Sequence, residues 1–107
     1  MMTDDTLRID ATSEKHDLER DQPLEALTNE QFLELVGNRV RRHRMKIGMS
    51  RKMLAKKSGV SERYLAQLES GQGNMSIKLL RKVTLAIGLK MNQLMAEREI
   101  EDTERLT

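Results

Sequence analysis

Apolar residues in the middle of the chain recur at helical spacing, and a polar cap residue stands just ahead of each run. Val36, Val40 and Ile47 form one stripe; Leu54 and Ala55, then Leu65 and Leu68, then Leu80, Val83 and Ile87 supply surfaces to face it. Spacings of three and four bring side chains to one helix face, because each residue turns the chain by about 100°. Cap chemistry marks the starts independently. Thr28 with Gln31 forms a capping box, whose two side chains satisfy backbone N–H groups that a helix end leaves open. Ser50, Ser61 and Ser76 stand ahead of the next three runs. Each is straddled by an apolar pair that sets the entry angle: Met49 with Leu54, Val60 with Leu65, Met75 with Leu80, as Leu27 and Phe32 straddle Thr28. Gly48, Gly59, Gly71 and Gly88 close the runs. The pattern predicts helices over 29–46, 51–58, 62–70 and 77–87 and a fifth from Met91. No strand alternation appears, so the expected class is all-α with five helices.

The ends lack this order. Residues 1–27 are expected to be an acidic, disordered tail, 28–96 the folded domain, and 97–107 a charged linker or an extension of the fifth helix through Met95, Ile100 and Leu106. A chain of 107 residues with only Phe32 and Tyr64 as aromatics must build its core from aliphatic side chains. So modest a core makes a further stabilising contact, such as a homodimer interface, an expectation. The absence of cysteine excludes disulfides and thiolate chemistry. An acidic start and no apolar run of membrane length argue against a signal peptide or a membrane partner, and for a cytoplasmic, nucleoid-associated protein.

Charge changes the picture more than composition does. Residues 1–31 carry nine acidic and three basic side chains, a net of −6. Residues 32–95 carry three acidic against fourteen basic, a net of +11; residues 96–107 carry five against two, a net of −3. A basic middle between acidic ends is the footprint of a polyanion binder.

Within that middle, Ser50–Ser76 reads SRKMLAKKSGVSERYLAQLESGQGNMS, two short helices meeting at a tight turn around Gly59. A helix-turn-helix is built this way when its second helix enters the major groove of DNA. Together with Val40–Ile47 and Ile77–Leu94, the segment resembles the phage-repressor helix-turn-helix of the Cro/C1, or xenobiotic-response-element, family. The resemblance covers roughly 33–95 and is carried by Ala55-x3-Gly59, Val60-Ser61 and Leu68-Glu69-x-Gly71. Within that family, SRKMLAKKSGVSERYLAQLESGQGN is similar to the N-terminal domain of the benzoyl-CoA-responsive regulators of benzoate catabolism, which add a shikimate-kinase-like ligand domain. This chain ends at Thr107 without a GxxxxGK[ST] phosphate loop. The resemblance implies repression of a catabolic promoter, relieved by an acyl-CoA effector bound in a further domain.

With Leu65 and Leu68 facing inward, Arg63, Ala66 and Gln67 point outward and Glu62 and Tyr64 lie on the flanks. Arg63 suits guanine O6 and N7, Gln67 suits adenine or a phosphate, and Glu62 suits cytosine N4. A solvated surface charge is the plain alternative for Arg63. Tyr64 has two readings, a phosphate hydrogen bond from its hydroxyl or packing of its ring. Arg51, first in its helix, and Lys52 are placed against phosphate, where the helix N-terminus adds N–H groups. Gln72, Asn74, Ser76 and Lys78 are phosphate candidates in the loop and the helix start that follow. Arg44 and Glu69 match a family ion pair and are read as structural.

The six methionines from Met45 to Met95 are read as core filler rather than a soft-metal surface. His16 and His43 are read as tail and surface residues. No catalytic set, cofactor loop or metal-ligand spacing stands out, so an enzyme is not expected. The function expected is a sequence-specific regulator of transcription that binds double-stranded DNA as a homodimer and represses. The alternatives are an antitoxin or phage-type autorepressor, a helical protein-interaction module, and the regulatory head of a larger protein.

Overall fold

The structure, a computed structural model, describes residues 23–98. A 3-10 turn, Leu24–Ala26, leads into α1 (Asn29–Lys46), α2 (Arg51–Ser58), α3 (Glu62–Ser70), α4 (Ile77–Ile87) and α5 (Met91–Leu94), and no strand occurs among the described residues. Among the described residues the class is all-α, a phage-repressor-like fold with five α-helices. Each long helix begins where its cap sits. Thr28 and Gln31 close a full capping box, and the hydroxyls of Ser50, Ser61 and Ser76 accept from the N–H groups of Met53, Tyr64 and Leu79. Gly59 ends α2 with φ 76°, the left-handed conformation that lets the chain turn at once into α3.

Val36, Val40, Leu54, Leu65, Leu68, Leu80, Val83, Ile87 and Leu94 form one buried cluster. Most of it was legible as helical stripes, with one exception. Ile47 is 45% exposed. It lies eleven residues from Val36, on the same face of an unbroken helix, but α1 stops at Lys46 and Gly48 at φ 72° turns the chain away. Among the methionines, Met49, Met75, Met91 and Met95 pack against the core, whereas Met45 and Met53 are exposed.

The packed body also starts earlier than residue 28. Leu24, placed in the tail by its acidic surroundings, packs against the core, as does Leu27, the staple partner of Phe32. The Leu24 N–H donates to the Glu97 carboxylate at 3.1 Å, which brings the two ends of the described chain together. The rest of the tail, with His16, and the proposed contacts of Ile100 and Leu106 lie outside the described residues.

Arg39 is the residue that charge concealed. It falls three places after Val36 on the inward face of α1 and is 2% exposed. Its Nη1 donates to the carbonyls of Leu94 and Ala96, both at 2.7 Å, and so ties α5 to α1. Arg39→Met keeps apolar bulk but removes the donors, stranding two carbonyls in a mostly dry site. We expect urea unfolding to show a loss of about 2 kcal/mol; an unchanged midpoint would mean those carbonyls find other donors. His43 is likewise not a plain surface residue, since its Nε2 lies 3.0 Å from the Ile87 carbonyl at the end of α4.

Candidate nucleic-acid interface

α3 is two-sided. Leu65, Leu68 and Glu69 are buried, while Glu62, Arg63 and Gln67 are exposed and Ala66 is half-buried. The Ser61 cap fixes where the helix begins, so Glu62 and Arg63 occupy its first turn at a surface end. Arg63 and Glu62 supply a five-donor fork and an acceptor there, and Gln67 supplies both a donor and an acceptor one turn later. The Gln67 carboxamide also borders the following loop, with Oε1 about 3.5 Å from where a Cβ on Gly73 would stand.

That loop is held against α3 by Tyr64. Its hydroxyl accepts the Ser76 N–H at 2.9 Å, and its ring packs against the core. The packing reading of Tyr64 is the one seen here. The ring and the hydroxyl oxygen are structural, and the hydroxyl hydrogen is left over for a further acceptor. Ser76 is similarly occupied, its N–H by Tyr64 and its Oγ by the Leu79 N–H at 3.3 Å. Gln72, Asn74 and Lys78 are exposed around it. Gly71 closes α3 at φ 76°, and a Cβ there would stand 2.7 Å from Glu34 Cα. The turn into the loop therefore takes glycine both for its backbone conformation and for its contact with α1.

At the start of α2, Lys52 is exposed and Arg51 is half-exposed. The Arg51 guanidinium turns back onto Glu69, with Nε and Nη2 each 3.3 Å from Oε1. Glu69 is also gripped by Arg44, Nε to Oε2 at 2.7 Å and Nη2 to Oε1 at 3.0 Å. The Nη1 of Arg44 donates to the Met49 carbonyl at 2.8 Å, just before the Ser50 cap. The two-residue ion pair expected from the sequence is thus a three-residue one. The place of Arg51 at a helix start points to phosphate alone, since nothing local to it signals a carboxylate eighteen residues on.

The structure therefore gathers the base candidates Glu62, Arg63 and Gln67 on the outer face of one helix. Lys52 is exposed at the start of α2, Gln72 and Asn74 in the loop before α4, and Lys78 in the first turn of α4. Lys56 and Lys57 are also exposed, on the later turns of α2. No helix among the described residues is long and apolar enough to cross a membrane.

This architecture is that of a helix-turn-helix protein, and the chain belongs to the Helix-turn-helix family HTH_3, whose model matches residues 40–94. Among curated proteins it is similar to the HTH-type transcriptional regulator SinR of Bacillus licheniformis, 33% identical over 66 residues, covering 61% of this chain and 60% of that one. SinR of Bacillus subtilis (strain 168) is 34% identical over 65 residues, covering 60% and 59%. The match thus spans about three fifths of the length of these relatives. Among solved structures, the clp gene regulator ClgR from C. glutamicum aligns with TM-score 0.56 and 34% identity, over 60% of this chain and 82% of that one. The restriction-modification controller protein C.AhdI from Aeromonas hydrophila aligns with TM-score 0.55 and 32% identity, over 58% and 94%.

Proposed function

We propose that this chain is a sequence-specific, DNA-binding transcriptional regulator that represses from a short operator. One observation carries the reading: α3 buries Leu65, Leu68 and Glu69 and leaves Glu62, Arg63 and Gln67 on its outer face. Such a helix, placed in the major groove, presents its first-turn side chains to base edges. Arg63 and Glu62 read guanine and cytosine there, and Gln67 reads adenine. Arg51, Lys52, Tyr64, Gln72, Asn74, Ser76 and Lys78 meet phosphates on either side, which set register without reading sequence. The net charge of +11 over residues 32–95 supplies affinity that falls with salt.

The relatives support this class, since SinR is a transcriptional regulator, ClgR a gene regulator and C.AhdI a controller protein. A homodimer on two half-sites about one helical turn apart is the assembly the reading requires for a long enough operator. Control of benzoate catabolism through an acyl-CoA effector rests on the resemblance of the Ser50–Asn74 segment alone; these relatives carry other names.

Retention of fragmented bacterial genomic DNA at physiological salt tests the proposal, beside Arg63→Ala and Gln67→Ala. We expect a recurrent short motif with the chain as it stands. Arg63→Ala should relax one position of it and cost about 1–3 kcal/mol, with Gln67→Ala relaxing another. Retention with no motif would overturn sequence-specific reading.

A further inference from the structure

Glu69 is 6% exposed, yet it accepts from arginines on two other helices. The two are not equivalent. The Arg44 side chain is 9% exposed, takes the closer contact at 2.7 Å, and commits its third nitrogen to the Met49 carbonyl. The Arg51 side chain is 40% exposed, touches Glu69 through Nε and Nη2 at 3.3 Å, and its Nη1 meets no acceptor among the described residues. Two guanidinium groups around one carboxylate leave a net charge of +1 at the start of α2. The carboxylate that anchors Arg51 therefore does not cancel its attraction for an anion.

We propose that Glu69 is a positioning residue for a phosphate contact, an inference that rests on the DNA-binding reading above. It grips one edge of the Arg51 guanidinium and leaves the Nη1 edge for a DNA phosphate at the N-terminus of α2. A planar five-donor fork serves two acceptors at once, which a lysine cannot do. Holding Arg51 in place before DNA arrives removes side-chain freedom that binding would otherwise have to remove. One carboxylate on α3 thereby ties the base-reading helix to the backbone contact of α2, with Arg44 as the buried anchor on α1.

Phosphate contacts carry no sequence, so a random-sequence 24-base-pair duplex is the probe. Its affinity for the full chain is measured across a salt series for the unaltered protein, Arg51→Gln, Glu69→Gln and the double variant. We expect each single variant to bind roughly threefold to tenfold more weakly. The slope of log affinity against log salt should fall in magnitude by about 1, and the double variant should be no weaker than either single one. Net charge alone gives the opposite sign for Glu69→Gln, which removes a negative charge and would tighten binding. Tighter binding, or losses that add in the double variant, would overturn the role of Glu69. Should Glu69→Gln fail to fold by far-UV circular dichroism, Arg51→Lys decides. It keeps the charge but not the fork, and binding equal to the unaltered chain would overturn the proposal. If the unaltered chain shows no salt-dependent binding, the DNA-binding reading itself falls.

Discussion

Glu69→Ala is expected to lower the stability of the domain by about 3–5 kcal/mol, the cost of removing one partner from a buried ion pair. The side chain of Glu69 is 2% exposed and that of Arg44 9%, so the lost carboxylate is not replaced freely by water. Arg44 keeps its bond to the Met49 carbonyl but is left with a buried positive charge that nothing nearby offsets. For a domain of this size the melting temperature should fall by roughly 15 °C or more. Base preference should not move, because Glu69 faces inward and the phosphate contact proposed for Arg51 is blind to sequence. Thermal melts by circular dichroism, together with DNA-motif selection below the melt, check both halves. A large change in the preferred motif with an unchanged melt would mean that Glu69 reads DNA rather than holding the fold.

Gly37→Ala should also be damaging, and against the local propensity. Alanine is favoured over glycine in a helix interior by about 1 kcal/mol, so α1 alone would gain. At this position, however, α3 crosses against the α1 backbone. A Cβ on Gly37 would run into the Leu68 carbonyl oxygen and stand 2.9 Å from that of Glu69. Both obstacles are backbone atoms near the end of α3, which cannot rotate aside as a flexible side chain could. Overpacking against a rigid neighbour costs about 3 kcal/mol at the upper end of the usual range. The net loss is then about 2 kcal/mol, or roughly 10 °C in melting temperature. Because the clash pushes on α3, DNA affinity should fall with stability. A variant that melts at or above the original temperature would show that the two helices separate without cost.

The elements themselves were legible in the chain because their determinants are local. Thr28, Ser50, Ser61 and Ser76 mark helix starts through contacts three residues long, and Gly59 and Gly71 stop helices through their own backbone angles. The outward placement of Arg63 and Gln67 follows from Leu65 and Leu68 by helical period alone, whereas Glu62, on the flank by that period, is exposed and Ala66 is half-buried. The partition of charge between middle and ends is likewise a property of the sequence. Ile47 shows where this reasoning stops, since the period continued past the point at which the chain left the helix.

What only the tertiary structure decided depends on groups far apart in sequence coming within hydrogen-bond or van der Waals reach. Arg39 looks like a surface charge until the Leu94 and Ala96 carbonyls arrive beside it. Arg51 reads as a phosphate candidate alone until Glu69 comes within 3.3 Å and gives it a second partner. Leu24 looks like tail until it meets the core and its N–H meets Glu97. Gly37 looks like a weak point in a helix until α3 crosses it. Periodicity and capping say which face of each helix is turned inward. Which partner waits there is set by how the helices cross, and that is a property of the packed assembly of all of them.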